Sequence, residues 1–295
     1  MAAVYSTFDQ EALDREYSPS SLVTDIGIYL AEYRRRSSQA VARSRENQSV
    51  HTDIRYGTTR AEALDLFLPS SADAVPLQIY IHGGFWQLLG KEDSSFAAPM
   101  FLEHGAAFAA INYTLAPQKS LSEIVDENRR AIAFLYHEAK RWNVNRQGFF
   151  LSGSSAGAHL VMMMLATDWS RYGLPEDPIA GACAVSGVYD LEPVRLSYVN
   201  DKVGMDEGEA RRNSPSRIRL RSGCPIVLAY GDNETAEFKR QTDEYLAAVS
   251  QAGHEVSFLA VPDRNHFDVI LDLCDENSAL AGRVLEQMGL GPGSG

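Results

Sequence analysis

Cysteine is scarce in this 295-residue chain: Cys183, Cys224 and Cys274 stand far apart, and no C-x-x-C pair occurs. Three thiols so spaced support neither a disulfide framework nor a zinc knuckle, and Cys183, inside the apolar run Ala180–Val185, reads as a buried structural thiol. Basic charge is also in deficit. Lys and Arg number 27 against 39 Asp and Glu, a formal net charge of −12. Such a chain repels phosphate backbones and anionic bilayers, so neither nucleic acid nor a membrane is expected as partner. Long apolar runs are missing. The longest uncharged stretch, Gln147–Thr167, is broken by Gly and Ser and reads as strand, turn and helix rather than a membrane span. The first ten residues have neither a basic region nor an apolar core, so no signal peptide is expected. His137-Glu138 lacks the second His of H-E-x-x-H, and neither a Walker loop nor G-x-G-x-x-G occurs. The expectation is a soluble, reduced, cytoplasmic protein with no metal and no cofactor.

What is present is globular: 45% apolar and 22% charged residues. Residues 1–50 are polar and helix-prone, with Leu22, Ile26, Tyr29 and Leu30 at helical spacing before a solvated basic run, Arg34-Arg35-Arg36. From residue 52 short β-prone runs appear: Thr52–Tyr56, Ala63–Leu68, Leu77–Ile81, Ala107–Tyr113, Gly148–Leu151, Ile179–Val185, Ile226–Tyr230 and Val256–Val261. Several are nearly continuous in apolar residues, as strands covered on both faces are. Ser120-Leu-Ser-Glu123 is a capping box ahead of a helical stripe, and Phe238, Tyr245, Leu246 and Val249 form a second stripe closed by Gly253. The pattern predicts an α/β fold, a mostly parallel eight-stranded sheet with helices on both faces. Residues 1–295 read as one domain, in which 1–50 form a helical cap region, 191–223 a cap or lid insertion and 291–295 a flexible tail. The insertion carries seven basic residues against five acids, which would give an acidic protein a mildly basic entrance suited to a carboxylate-bearing substrate.

The chemistry concentrates in three places. Gly153-Ser154-Ser155-Ala156-Gly157 fits G-x-S-x-G, which alone arises by chance in roughly one chain of this length in ten. Its context strengthens it: an apolar strand precedes and a helix over Ala158–Ala166 follows, the setting a nucleophile elbow needs. Ser155 is the central serine and Ser154 its neighbour pointing elsewhere. A serine hydroxyl needs a base. His266, after the last strand in Asn-His-Phe-Asp268, is the candidate. His159 lies one helical turn from Ser155 and reads as structural, and His254 starts a strand and should face away. The acid should follow Ile226–Tyr230. Glu234 is preferred over Asp232, because three residues past Gly231 the chain has room to aim a longer carboxylate back at His266; Asp263 is a distant third. His82-Gly83-Gly84-Phe85-Trp86 follows Leu77–Ile81, and its glycines let backbone N–H groups of Gly83 and Gly84 join that of Ala156 at one point, an oxyanion hole. His82 is then an orienting hydrogen-bonder. Phe85 and Trp86 either wall a substrate pocket or belong to the core.

Together these segments resemble the α/β-hydrolase superfamily, in its branch with an H-G-G-x-W motif. Within it the likeness is to the kynurenine formamidase (arylformamidase) group. The residues that carry it are His82–Gln87, Gly153–Leu160, Asn265–Asp268, Leu13-Asp-Arg-Glu-Tyr-Ser-Pro19, Leu64-Asp-Leu-Phe-Leu-Pro69, and Glu234-Thr-Ala-Glu-Phe238 with Arg240-Gln241. In that group the triad acid stands three residues before such a Glu-Phe pair, which here is Glu234, where many formamidases have Asp. Phe85 likewise stands where many have Tyr. The resemblance implies a serine hydrolase acting through an acyl-enzyme on a small-molecule aryl formamide, N-formylkynurenine foremost. The alternatives are a broad carboxylesterase of the hormone-sensitive-lipase type, which shares H-G-G and G-x-S-x-G, and a hydrolase fold kept only for binding. Oligomeric state is open, a homodimer included.

Overall fold

The computed structural model describes residues 3–291. One eight-stranded sheet organises it: β1 (Val50–Arg55), β2 (Ala63–Phe67), β3 (Val75–Ile81), β4 (Ala107–Ile111), β5 (Val144–Ser154), β6 (Gly181–Val185), β7 (Ile226–Asn233) and β8 (Val256–Asn265). The spatial order is β1-β2-β4-β3-β5-β6-β7-β8; β2 runs antiparallel to β1 and β4, and every other pair is parallel. All eight predicted strands are present. β1 and β3 begin two residues before their predicted runs, and β5, β7 and β8 extend through polar residues that still make ladder pairs, such as Asn233 opposite Asn265.

The helices are α1 (Gln10–Glu16), α2 (Ile26–Glu46), α3 (Ala98–Glu103), α4 (Leu121–Glu138), α5 (Ala156–Leu165), α6 (Glu192–Leu196), α7 (Asn200–Val203), α8 (Glu207–Arg212), α9 (Ala236–Gln251) and α10 (Ala279–Gln287). Successive strand residues face opposite ways. Leu77, Ile79 and Ile81 therefore join one core with Ile124 and Leu135 of α4, α5, and Phe238 and Tyr245 of α9. Tyr80 and Phe108 join a second with Phe101 of α3 and Leu280 and Val284 of α10. The two cores cover both sheet faces, which is why the central strands read as unbroken apolar runs.

The capping box forms as expected: the Ser120 hydroxyl accepts from the Glu123 N–H, and the Glu123 carboxylate accepts from the Ser120 N–H. In the N-terminal region α2 begins only at Ile26. Asp25 caps it, taking the Gly27 N–H at 2.7 Å, so Leu22 lies outside the helix and is exposed. Residues 191–223 fold into α6, α7 and α8 and a turn of 3-10 helix at Pro215–Arg217. Of the tail expected at 291–295, residues 292–295 lie outside the described residues.

Parallel register brings the C-terminal ends of five adjacent strands level. Ile81 pairs with Gly153, Ser154 with Val185, and Asn233 with Asn265. The residues just beyond those ends are His82, Ser155, Ser186, Glu234 and His266. Five separate strand ends thus converge on one edge of the sheet, the edge where open α/β sheets bind ligands.

Candidate active site

Ser155 joins β5 to α5 without a loop. Its backbone sits at φ 57°, ψ −121°, a conformation that costs about 1–3 kcal/mol for a residue with a side chain. The strain persists because the surroundings fix it: the Ser155 N–H donates to Val185 O at 2.8 Å, and Ser155 O accepts the His159 N–H at 3.1 Å. The helix consequently starts at Ala156, two residues earlier than its apolar pattern suggests. As the first residue of α5, Ala156 has an N–H with no partner within the helix.

His266 follows β8 directly and Glu234 follows β7 directly. The His266 Nδ1–H donates to Glu234 Oε2 at 2.7 Å. The other carboxylate oxygen, Oε1, accepts from the Ser186 hydroxyl at 2.5 Å and the Gly231 N–H at 2.8 Å. Glu234 has a side chain with 0% exposure, so this charge is neutralised by three donors and not by water. Its weighed rivals are elsewhere: Asp232 and Asp263 are exposed, and the Asp232 carbonyl accepts from Lys239. Ser155 and His266 open on one cavity of about 280 Å³, with Gly83 and Gly84 on its wall.

The loop after β3 is held from behind. Burial pushes the His82 imidazole down to about 4, so the ring is neutral near pH 7. Its Nδ1 lies 3.0 Å from Gly83 O, and it stacks on Tyr113 at 4.1 Å, whose hydroxyl donates to His82 O at 2.9 Å. The contacts of His82 are thus with backbone and with the Tyr113 ring. A Cβ on Gly83 would stand 2.7 Å from Ser154 O, so only glycine brings this backbone so close to the elbow. His159 is fully buried and bonds Asn213 O at 2.7 Å, a structural role. His254 is half-buried two residues before β8 and does not line the cavity.

Two expectations need correction. Phe85 lines the cavity, but Trp86 does not: its side chain is wholly buried in the core, edge-on to His159 at 5.0 Å. Both residues have positive φ, and the tight turn sends their rings in different directions. Nor does the basic character of residues 191–223 reach the cavity wall. Residues 191–223 contribute Tyr198 and Val199 to the cavity, while Arg212 turns away to Ser122. Among the described residues, the cavity wall includes no Asp, Glu, Lys or Arg; its apolar surface comes from Ile26, Leu30, Leu88, Phe85 and Phe267, with Tyr33 and Tyr198 among them.

Sequence reasoning missed Ser186, which a lone serine after a strand does not advertise. It also missed Tyr29 and Tyr33 on α2. The Tyr29 hydroxyl accepts from Asn265 Nδ2 at 3.0 Å, and the Tyr33 hydroxyl donates to Phe267 O. Helical spacing placed Tyr29 on the apolar face of α2, but nothing in the pattern announced what that face meets. Among the described residues no group of three or more metal-ligating side chains forms, and no helix is long and apolar enough to cross a membrane.

Comparison with known proteins follows the same lines. Residues 64–205 match the family model described as BD-FAE. The chain is 36% identical to a kynurenine formamidase of Danio rerio over 97% of this chain and 98% of that one, and 34% identical to that of Salmo salar over the same shares. Its fold superposes on a Silicibacter protein provisionally described as a thioesterase (TM-score 0.80, 27% identity, 91% of this chain and 97% of that one). It also superposes on an esterase of Pyrobaculum calidifontis (TM-score 0.70, 15% identity, 95% and 96%), a likeness of fold alone.

Sheet order, elbow and relatives together define a hydrolase of the α/β-hydrolase fold. Within that class the sequence match runs nearly from end to end: the chain belongs to the kynurenine formamidase family.

Proposed function

We propose that this hydrolase cleaves aryl formamides through an acyl-enzyme, with N-formylkynurenine as its substrate. Ser155 is the nucleophile, His266 the base and Glu234 the acid. The observation that carries the reading is the buried Glu234–His266 pair, held at 2.7 Å and opening on the same cavity as the strained Ser155.

His266 Nδ1–H is engaged by the carboxylate, which leaves Nε2 as the acceptor. Nε2 takes the Ser155 proton as Oγ bonds the formyl carbon. The carbonyl oxygen becomes an oxyanion, held by N–H groups of Gly83, Gly84 and Ala156. His266 then returns the proton to the aryl nitrogen, the C–N bond breaks and the amine leaves. Water, deprotonated by the same imidazole, attacks the formyl-serine and releases formate. The formyl group is the smallest acyl group, which suits a site so close that a Cβ on Gly83 would stand 3.2 Å from the Ser155 Cβ. The apolar walls and Phe85 take the aryl ring.

A carboxylesterase reading is favoured by one observation, the uncharged cavity wall, which receives a neutral ester as readily as a formamide. The α1–α2 region and residues 191–223 serve as the cap in either case. The three cysteines are unpaired, in keeping with a reducing, cytoplasmic setting. Steady-state kinetics on N-formylkynurenine and a short nitrophenyl ester decide the substrate. A far higher kcat/KM on the ester overturns the formamidase assignment, and turnover retained by Ser155→Ala overturns the mechanism.

A further inference from the structure

The acid and the base stand on two separate loops, and both loops are gripped by the same N-terminal segment. Behind Glu234, the Thr235 hydroxyl donates to Glu16 O at 2.7 Å, and the Glu237 N–H donates to the Glu16 carboxylate at 3.1 Å. Next along, Tyr17 is wholly buried; its hydroxyl donates to Glu237 Oε2 at 2.9 Å and accepts from Gln241 Nε2 at 2.7 Å. The Tyr17 ring packs on Phe238 at 6.0 Å, and Phe238 packs on the His266 ring at 4.4 Å. At the other loop, Tyr29 and Tyr33 of α2 bond Asn265 and Phe267, the residues on either side of His266. The Tyr29 ring lies 5.6 Å from that of Phe267. The clamp is itself anchored: Arg34 pairs with Asp93 at 2.8 Å, and the Ser37 hydroxyl accepts the Ser95 N–H at 3.0 Å.

Ser155 needs no such help, since the bonds that fix its backbone run to β6 and within α5. The two residues that must meet across 32 positions of sequence receive it. We infer that the N-terminal segment Glu16–Ser37 is a positioning clamp that registers Glu234 against His266, in addition to walling the cavity. Tyr17 and Tyr33 are its positioning residues, acting through the two loops. The inference rests on the reading of Glu234 and His266 as acid and base.

The test uses the full chain with Tyr17→Phe, Tyr33→Phe and the double variant, assayed for kcat and KM on N-formylkynurenine and nitrophenyl acetate, with melting temperature measured in parallel. Each substitution keeps the ring; Tyr17→Phe deletes the bonds to Glu237 and Gln241, and Tyr33→Phe deletes the bond to Phe267 O. Each single variant is expected to lose about three- to tenfold in kcat with KM within about twofold, the scale of one or two lost hydrogen bonds felt through a loop. Because both loosen one Glu234–His266 contact, the double variant should lose less than the product of the singles. A lowered melting temperature with kcat unchanged overturns the clamp, and so does a raised KM at constant kcat, which makes the segment a wall only. Should Tyr33→Phe not fold, Tyr29→Phe and Glu16→Gln put the same question to the two loops. His266→Ala separates the two levels. If it stays active, the acid–base reading falls; if it is inactive while the tyrosine variants match wild type, the clamp alone falls.

Discussion

Replacing Glu234 by Gln changes one atom's hydrogen-bonding character and nothing in size, which makes it a sharp probe of the site. The carboxylate offers two acceptor oxygens to three donors: His266 Nδ1–H on Oε2, and Ser186 O–H with Gly231 N–H on Oε1. An amide has one acceptor oxygen. If that oxygen keeps the Oε1 position, the NH₂ group faces His266 and can bond only an unprotonated Nδ1. The imidazole then carries its proton on Nε2 and cannot take the one from Ser155. If the amide oxygen faces His266 instead, its NH₂ points at the Gly231 N–H only 2.8 Å away, two donors in a buried site, at a cost of about 1–3 kcal/mol. The first arrangement is therefore preferred, and with it the wrong tautomer. The negative charge that stabilises the imidazolium is lost as well. The expected fall in kcat is about 10³- to 10⁴-fold, about 4–5.5 kcal/mol of transition-state stabilisation, with KM little changed. Asp232→Asn, at an exposed position, should stay within about twofold of wild type. Steady-state kinetics of the two variants, with circular dichroism as the folding control, make the comparison. A larger loss from Asp232→Asn than from Glu234→Gln refutes the assignment of the acid.

Ser186→Ala removes a donor from Glu234 and leaves the Gly231 N–H in place; kcat should fall about tenfold with KM intact, and an unchanged kcat makes that bond dispensable. Gly157→Ala would set a Cβ 2.0 Å from Ile81 O, against backbone that cannot yield without moving β3 from β5; the variant should melt far below wild type or fail to fold, as thermal melts would record. His82 and His159 are both held by burial at about 4 against an ordinary 6.5, so as pH falls the unfolded chain takes up protons first. Their stability contribution is complete above 6.5, drains between 6.5 and 4, and does not change further below. His159→Gln should flatten the drop in melting temperature across that window, and equal slopes in the two proteins would count against neutral burial of His159.

Elements whose signal is local were legible in the sequence. The sheet was readable because strands covered on both faces are continuous in apolar residues, and Ser155 because its elbow needs small residues at fixed spacing on both sides. Glu234 could be preferred over Asp232 on reach alone. Elements whose role depends on a distant partner were not legible. Trp86 and Phe85 are adjacent aromatics in one turn, and only backbone at positive φ decides that one ring is core and the other cavity wall. Seven bases in residues 191–223 suggested a charged entrance, but Arg195 pairs with Glu192 and Arg217 with Asp190, and Tyr198 and Val199 face the cavity. Surface arginines on short helices find partners within a few residues or a nearby loop, so local net charge says little about a wall built from other side chains.

A glutamate at position 234 fits the way β7 and β8 end. The two strands pair in register from Ile226 with Val256 to Gly231 with Val261, then shift, so that Asn233 meets Asn265. Two residues on β7 therefore span four on β8 before His266. Glu234 follows the last pair on β7 by one residue and His266 follows it on β8 by one residue, so the two start level on neighbouring strands. From there the carboxylate must reach the imidazole and also return to Gly231 N–H and Ser186 O–H on the strand side. An Asp at 234 is one methylene shorter and cannot keep all three donors without drawing the loop inward, against the Thr235–Glu16 bond that holds it. Glu234→Asp should accordingly retain the charge and lose the geometry, giving activity between wild type and Glu234→Gln. If Glu234→Asp matches wild type in kcat, the loop is free to follow the shorter side chain, and the grip of the N-terminal segment on it is weaker than its hydrogen bonds suggest.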